Sequence, residues 1–202
     1  MEFSPELFDK VSEILPGYNG FFEKGMDLVS WGITDCQVIF VRKNIKTGKN
    51  GKISIYRQSA HDVGFMQFLE LQIGDKKTWL GSLHGKTLPG NKLDTPVRLK
   101  QSEKIINFFK DKIGPKIIGG DFNLMPDTKS VKMFEQAGYR NLIRDFGIQE
   151  TRNNLSWKQF PNEDKQHFAD YVFVSPDVKV KKFEIPYNEI SDHLPQVLDF
   201  EV

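Results

Sequence analysis

Apolar residues open the chain at helical spacing. In "SPELFDKVSEILPG", Leu7, Phe8, Val11, Ile14 and Leu15 fall on one stripe. Ser4 reads as the N-cap, Pro5 as the first helical position and Pro16-Gly17 as the stop. The period then shortens: "CQVIFVRK", "KISIYRQ", "FMQFLELQI" and "KTWLGSL" are rich in β-branched and aromatic residues and predict strands. "KTGKNGK", between the first two, predicts a hairpin turn. Helical spacing returns after Asp94, from about Thr95 to Lys112, where Leu99, Ile105, Ile106, Phe108 and Phe109 are the apolar marks. Beyond it come the strand "PKIIGG", a helix near Ser130–Ala137, the strand "ADYVFVS", a run at "VKKFEI" and the terminal strand "LPQVLDFEV". Strands outnumber helices, and hairpins mix with crossovers. The expectation is an α+β fold with helices covering a largely antiparallel sheet.

The 202 residues suit one domain over 1–202, and 17 Phe with 3 Trp supply bulky core material. With 28 basic and 27 acidic residues the formal charge is +1, so no overall field points to a nucleic acid or a membrane. Lys179, Lys181 and Lys182 form a local patch, read as a solvated strand face. The one cysteine, Cys36, excludes an internal disulfide and reads as a small buried thiol. No apolar run approaches the ~20 residues that span a bilayer, and no charged-then-apolar leader opens the chain. A soluble, cytoplasmic protein with no transmembrane segment is expected.

Four polar clusters stand at strand ends. His84 follows "KTWLGSL", Asp121 and Asn123 follow "PKIIGG", Asp170 leads into "YVFVS", and Asp192-His193 lead into "LPQVLDF". The end of one antiparallel strand lies beside the start of its neighbour, so all four can share one rim. Each alone has a structural reading: "GGDFN" as a turn capping its own backbone, "SDH" as a strand-entry turn, His84 as an ordinary strand-end residue. His61 and His167 read as surface or loop residues.

Together the residue types suit hydrolysis of a phosphate ester. A hydrated Mg²⁺ needs one or two carboxylates and neutralises charge developing on phosphorus. An Asp can orient or deprotonate water, an Asn can donate to a phosphoryl oxygen, and a His paired with a carboxylate stays protonated beside an anion. No zinc spacing, Walker lysine motif or nucleophile elbow competes with this reading.

The motifs "SLHG", "GGDFN", "FADYVFVSPDV" and "ISDHLP", in this order, resemble the pattern of the endonuclease/exonuclease/phosphatase family. "LDTPVRLKQSEKIINFF" is similar to the linking helix of a bacterial subgroup. The resemblance implies a deoxyribonuclease I-like sandwich of two mainly antiparallel sheets flanked by helices. It implies Asp121 orienting or activating water, Asn123 holding a phosphoryl oxygen, and His193 contacting the scissile phosphate, oriented by Asp170. His84 matches a second phosphate-facing or acid residue, and Asp192 a metal-side carboxylate, with Mg²⁺ or Mn²⁺ as cofactor.

The chain departs from that pattern at its start, where the family carries a strand with a metal-side Asn and a second strand ending in Gln-Glu. Glu2 stands about where that metal-binding Glu would fall. An N-terminally shortened sheet is therefore expected, with exposed edges. Two readings stay open: a divalent-metal phosphoesterase, with a nuclease favoured, or a non-catalytic phosphate-binding relative completed by a partner chain or oligomer. Lys86, Lys92, Arg98, Lys100 and the Arg152-Asn153-Asn154 loop are candidates for a nucleic-acid groove. "HGKTLPGNKLDTP" reads as a polar loop able to gate substrate.

Overall fold

The computed structural model describes residues 5–28, 33–59, 62–159 and 165–202. Glu2, Ser4 and His61 lie outside them. The first helix, α1 (Pro5–Ile14), starts at its proline as its sequence predicts. It lays Phe8 against the rings of Phe22 and Phe40, with centroids 5.4 and 5.8 Å away. Those rings belong to β1 (Tyr18–Leu28) and β2 (Ile33–Arg42), an antiparallel ribbon. Strand β1 escapes the sequence reading because Asn19, Gly20, Glu23 and Lys24 interrupt its alternation.

The hairpin expected at "KTGKNGK" is not there. The chain turns earlier, where Ile45 N–H donates to Arg42 C=O at 2.9 Å. Residues Lys46–Ser59 then run on as β3, which pairs with β4 (Asp62–Ile73) rather than with β2. The glycine-rich stretch is absorbed by a register shift between Thr47 and Asn50 on an edge strand, where an irregular ladder costs least.

After β5 (Lys76–His84) comes α2 (Pro96–Lys110), begun by Thr95, whose hydroxyl accepts from Arg98 N–H, and then β6 (Lys116–Asp121). Next come α3 (Lys129–Gln136), β7 (Arg140–Asn141), α4 (Leu142–Asp145), α5 (Asn154–Gln159), β8 (Asp170–Val174), β9 (Lys179–Glu184) and β10 (Val197–Glu201). Elements as short as β7, α4 and α5 leave no period in the sequence. Six strands form one sheet in the order β3-β4-β5-β6-β8-β7; only β5 and β6 are parallel, and α2 is their crossover.

Strand β4 shows why the layers form. Its side chains alternate across the sheet, so Met66 and Phe68 join the main core while Leu69 and Leu71 join Val41, Phe21 and Ile39 of the β1–β2 ribbon. In the main core Phe108 meets Phe68 at 4.8 Å, and Phe134 stacks on Phe173 at 4.4 Å. Each such ring contributes roughly 1.5–3 kcal/mol by leaving water. Gln67 Nε2 donates to Phe21 C=O at 2.8 Å and Gln37 Nε2 to Phe65 C=O at 3.0 Å, stitching ribbon to sheet. The result is the expected mixed α/β sandwich flanked by helices. Outside the six-stranded sheet, however, the described strands form two separate ribbons, β1–β2 and β9–β10. Lys179 and Lys181 pair with Glu201 at 3.3 and 2.9 Å, and Lys182 with Glu184 at 2.8 Å, so the basic patch is a self-neutralised strand face.

The parallel crossover positions the chemistry. It sets His84 opposite Asp121, while antiparallel pairing sets Asp121 opposite Asp170. Gly120 allows this contact: at φ +136°, a Cβ there would stand 2.1 Å from the Leu83 carbonyl oxygen.

Candidate active site

Three strand ends and one loop meet at a point. His193 Nδ1 lies 2.8 Å from Asp170 Oδ2 and 3.0 Å from Oδ1. Its Nε2 stands 3.8 Å from Asp121 Oδ2, and His84 Nε2 reaches the same oxygen at 3.7 Å. Asp192 completes the group, with Oδ2 3.8 Å from His193 Nε2. These five line one end of a cavity of about 770 Å³ whose apolar wall includes Val11, Val38 and Phe40; the buried Cys36 also faces it.

A second layer holds the carboxylates; the sequence singles out its Arg152 and Asn153 only as groove candidates, and its Thr151 and Ser156 not at all. Thr151 Oγ accepts from Ala169 and Asp170 N–H at 3.1 and 3.2 Å, fixing the start of β8. Arg152 bridges to His193 through backbone, and its Nη2 lies 3.4 Å from Asp192 Oδ2. Asn153 Nδ2 donates to Asn188 and Ser191 carbonyls at 2.6 and 2.7 Å, and Ser156 Oγ donates to Asp192 C=O at 3.1 Å. The only sequence signal was the polar run "TRNNLS", which marks a loop without saying what it grips. The His167 side chain, 3.4 Å from Glu150, does not join the cluster, though its carbonyl accepts from Thr151 and Arg152 N–H at 2.8 and 3.3 Å.

Asn123 is brought to the site but set behind its surface, 2 % exposed. Its backbone N–H donates to Asp121 Oδ1 at 2.7 Å, and it sits at φ +53°, the Asx-type turn anticipated for "GGDFN". Its amide donates to Gly85 C=O at 3.2 Å and accepts from the Lys92 ammonium. The loop carrying Lys92 is fastened by Arg98. That fully buried guanidinium donates to the carbonyls of Lys86, Thr87, Pro89 and Leu93 at 3.1, 2.9, 2.6 and 2.7 Å. The loop expected to gate substrate is thus tethered at four points to α2.

The family model described as "Endonuclease/Exonuclease/phosphatase family" matches residues 30–193. The chain belongs to this family. Its structure resembles an endonuclease/exonuclease/phosphatase from Bacteroides vulgatus, with TM-score 0.77 and 20% identity over 100% of this chain and 82% of that one. It also resembles the Bacteroides thetaiotaomicron mannosyl-6-phosphatase Bt3783, with TM-score 0.71 and 19% identity over 100% and 83% of the two chains. A third likeness is the human nocturnin catalytic domain, with TM-score 0.72 and 21% identity over 99% and 78%. None of the curated proteins searched matches the chain. Membership of the endonuclease/exonuclease/phosphatase family supports phosphoesterase chemistry, and the solved structures establish the shared fold.

The electrostatics suit that family chemistry. Burial disfavours charge on Asp170 and raises its pKa, more than its bond to His193 lowers it. Burial works against the His193 imidazolium, but the hydrogen bond to Asp170 and the carboxylates of Asp170, Asp121 and Asp192 prevail and raise it. Both shifts act in one direction: the pair holds its proton to higher pH than a free imidazole. Donor atoms of Asp121, Asp170 and His193 lie within 4.8 Å of one another. Because His193 and Asp170 already engage each other, the open donors are on the Asp121 side, with Asp192 adjacent. This set fits a hard, hydrated cation, which needs only one or two carboxylates. Glu2, the other expected metal ligand, lies outside the described residues, and no described helix is long and apolar enough to cross a membrane.

Proposed function

We propose that the chain hydrolyses a phosphate ester by direct in-line attack of water, with a divalent cation, and that nucleic-acid phosphodiesters are its preferred substrates. The observation that carries this reading is the convergence of a His193–Asp170 pair, His84 and Asp121 on one cavity end. Asp121 orients and deprotonates the attacking water. His193, protonated through Asp170, faces a non-bridging phosphoryl oxygen, and His84 stands against the same Asp121 oxygen. A bound Mg²⁺ or Mn²⁺ would be held by Asp121 with Asp192 and would neutralise charge developing on phosphorus. Arg152, at the rim beside Asp192, supplies positive charge for a polyanion.

Single-stranded DNA, RNA, nucleotides and sugar phosphates, each incubated with Mg²⁺, Mn²⁺ or chelator, test this. Expected are metal-dependent turnover and a fall of at least ~10³-fold in Asp121→Ala and His193→Ala. Absence of turnover by the folded chain would favour the second reading, a phosphate-binding relative completed by a partner strand. That reading draws on the two separate ribbons, each offering edge strands without a described neighbour.

A further inference from the structure

One cation beside the site is unexplained by the roles above. Lys92 is 7 % exposed, yet its ammonium has a single hydrogen-bond acceptor, Asn123 Oδ1, and no ion pair within 4.0 Å among the described residues. An ammonium carries three N–H donors. Two of them have no protein acceptor among the described residues, at a position where an unpaired donor is costly. Burial lowers its pKa, against the pull of Asp121 and Asp170. Its acceptor Asn123 in turn donates its backbone N–H to Asp121 Oδ1 at 2.7 Å, so the ammonium stands one residue behind the site.

Its position is built. Lys92 has φ +55°, a left-handed conformation that side chains other than Gly, Asn and Asp seldom adopt. Its carbonyl accepts from Met125 N–H at 2.9 Å, and the loop leading to it is fastened by four hydrogen bonds from Arg98. Asn123 contributes from the far side. With Nδ2 donating to Gly85 C=O, its amide can turn only Oδ1 toward the lysine. Main chain, guanidinium and amide all hold one ammonium with two free donors, and the ligand such a group lacks is an anionic oxygen.

We propose that Lys92 is a phosphate-contacting residue whose free N–H groups take a non-bridging oxygen of the phosphoryl group handled by Asp121 and His193. Asn123 is then a positioning residue that holds the ammonium, and Arg98 positions the loop. This rests on the phosphoesterase reading and adds a fixed protein charge to it. Lysine suits the task because it acts as a compact point charge on phosphate.

The test compares Lys92→Met, which keeps the aliphatic stem, with Lys92→Arg, which keeps the charge, and with Lys110→Met on exposed α2 surface. For an ester the parent chain turns over, Lys92→Met should lower kcat/KM about 10²–10³-fold, mainly through kcat, with partial recovery in Lys92→Arg. Calorimetric titration with inorganic phosphate is the independent arm: affinity should fall about tenfold in Lys92→Met and stay unchanged in Lys110→Met. Lys92→Gln, which can still donate to Asn123, replaces Lys92→Met if that variant does not fold. A folded, neutral variant with parental kcat/KM and phosphate affinity overturns the proposal while leaving the hydrolase reading intact. If the parent chain turns over no ester, the hydrolase reading fails, and the phosphate titration alone decides the role of Lys92.

Discussion

His193 gives Nδ1 to Asp170 at 2.8 Å and so turns Nε2 toward Asp121, 3.8 Å away. One carboxylate fixes the ring, and the other faces its working nitrogen. Removing the first should lower the ring's titration, because burial is then opposed only by Asp121 and Asp192, without the hydrogen bond and charge of Asp170. By NMR titration, His193 should titrate above the usual 6.5 in the parent chain and at lower pH in Asp170→Asn than in the parent. The stability follows in sign. A folded-state value above the unfolded one stabilises the fold below about pH 6.5, and the gain is lost as pH rises through the folded value. The Tm advantage of the parent over Asp170→Asn should therefore be largest near pH 6 and shrink toward pH 9.

Gly120→Ala should be among the most damaging small substitutions. A Cβ 2.1 Å from the Leu83 carbonyl oxygen forces β5 and β6 apart, and φ +136° adds strain of about 1–3 kcal/mol. The same displacement separates His84 from Asp121. Urea denaturation should show a loss of at least ~2 kcal/mol, and any surviving fold should have lost most of its activity.

Arg98→Met would strand four loop carbonyls at once. The carbonyl of buried Lys86 costs about 1–3 kcal/mol when unsatisfied, while those of exposed Thr87, Pro89 and Leu93 take water, so a loss of about 1–3 kcal/mol is expected. Hydrogen exchange should rise at the amides of residues 85–93 and not in α3. Arg98→Lys should not rescue, because a single ammonium cannot reach acceptors arranged for a fork.

Asp94 joins α2's entry to the start of α3, accepting from Lys129 N–H at 2.7 Å, Ser130 N–H at 2.9 Å and the Ser130 hydroxyl. Partial burial opposes its charge, but these bonds win and hold its carboxyl below the usual carboxylate range. Asp94→Ala should cost about 1–2 kcal/mol at neutral pH. A depressed folded value stabilises above the unfolded pKa of about 3.9 and is lost as pH falls through the folded value. The Tm values of parent and variant should thus converge toward pH 2–3.

Several of these residues were legible in the sequence and others were not, for physical reasons. His84, Asp121, Asp170 and Asp192-His193 could be placed on one rim because strand ends are readable from apolar runs. The antiparallel rule brings Asp121 to Asp170. The neighbouring C-terminal ends of β5 and β6 meet because α2 returns the chain in parallel, which a strand count does not reveal. Helix α2 hides its work for another reason: three of its five buried residues are Arg98, Gln101 and Ser102, so most of that face looks like solvent-exposed surface. Lys92 and Arg98 consequently read as generic groove cations. "KTGKNGK" misled because two glycines signal a turn equally well when they serve an edge-strand irregularity.

Arg98 reads the loop before it through carbonyl oxygens alone, and every residue type presents the same carbonyl. Thr87 and Leu88 are thereby released from any duty to hold the loop in shape, and Leu88 is 65% exposed, whereas Asn91 Oδ1 accepts from Leu93 N–H at 3.2 Å. Diversifying Thr87 and Leu88 by random mutagenesis should alter which molecules are admitted while the scaffold beneath them stays put. Selectivity and architecture are, at this edge of the molecule, separately heritable traits.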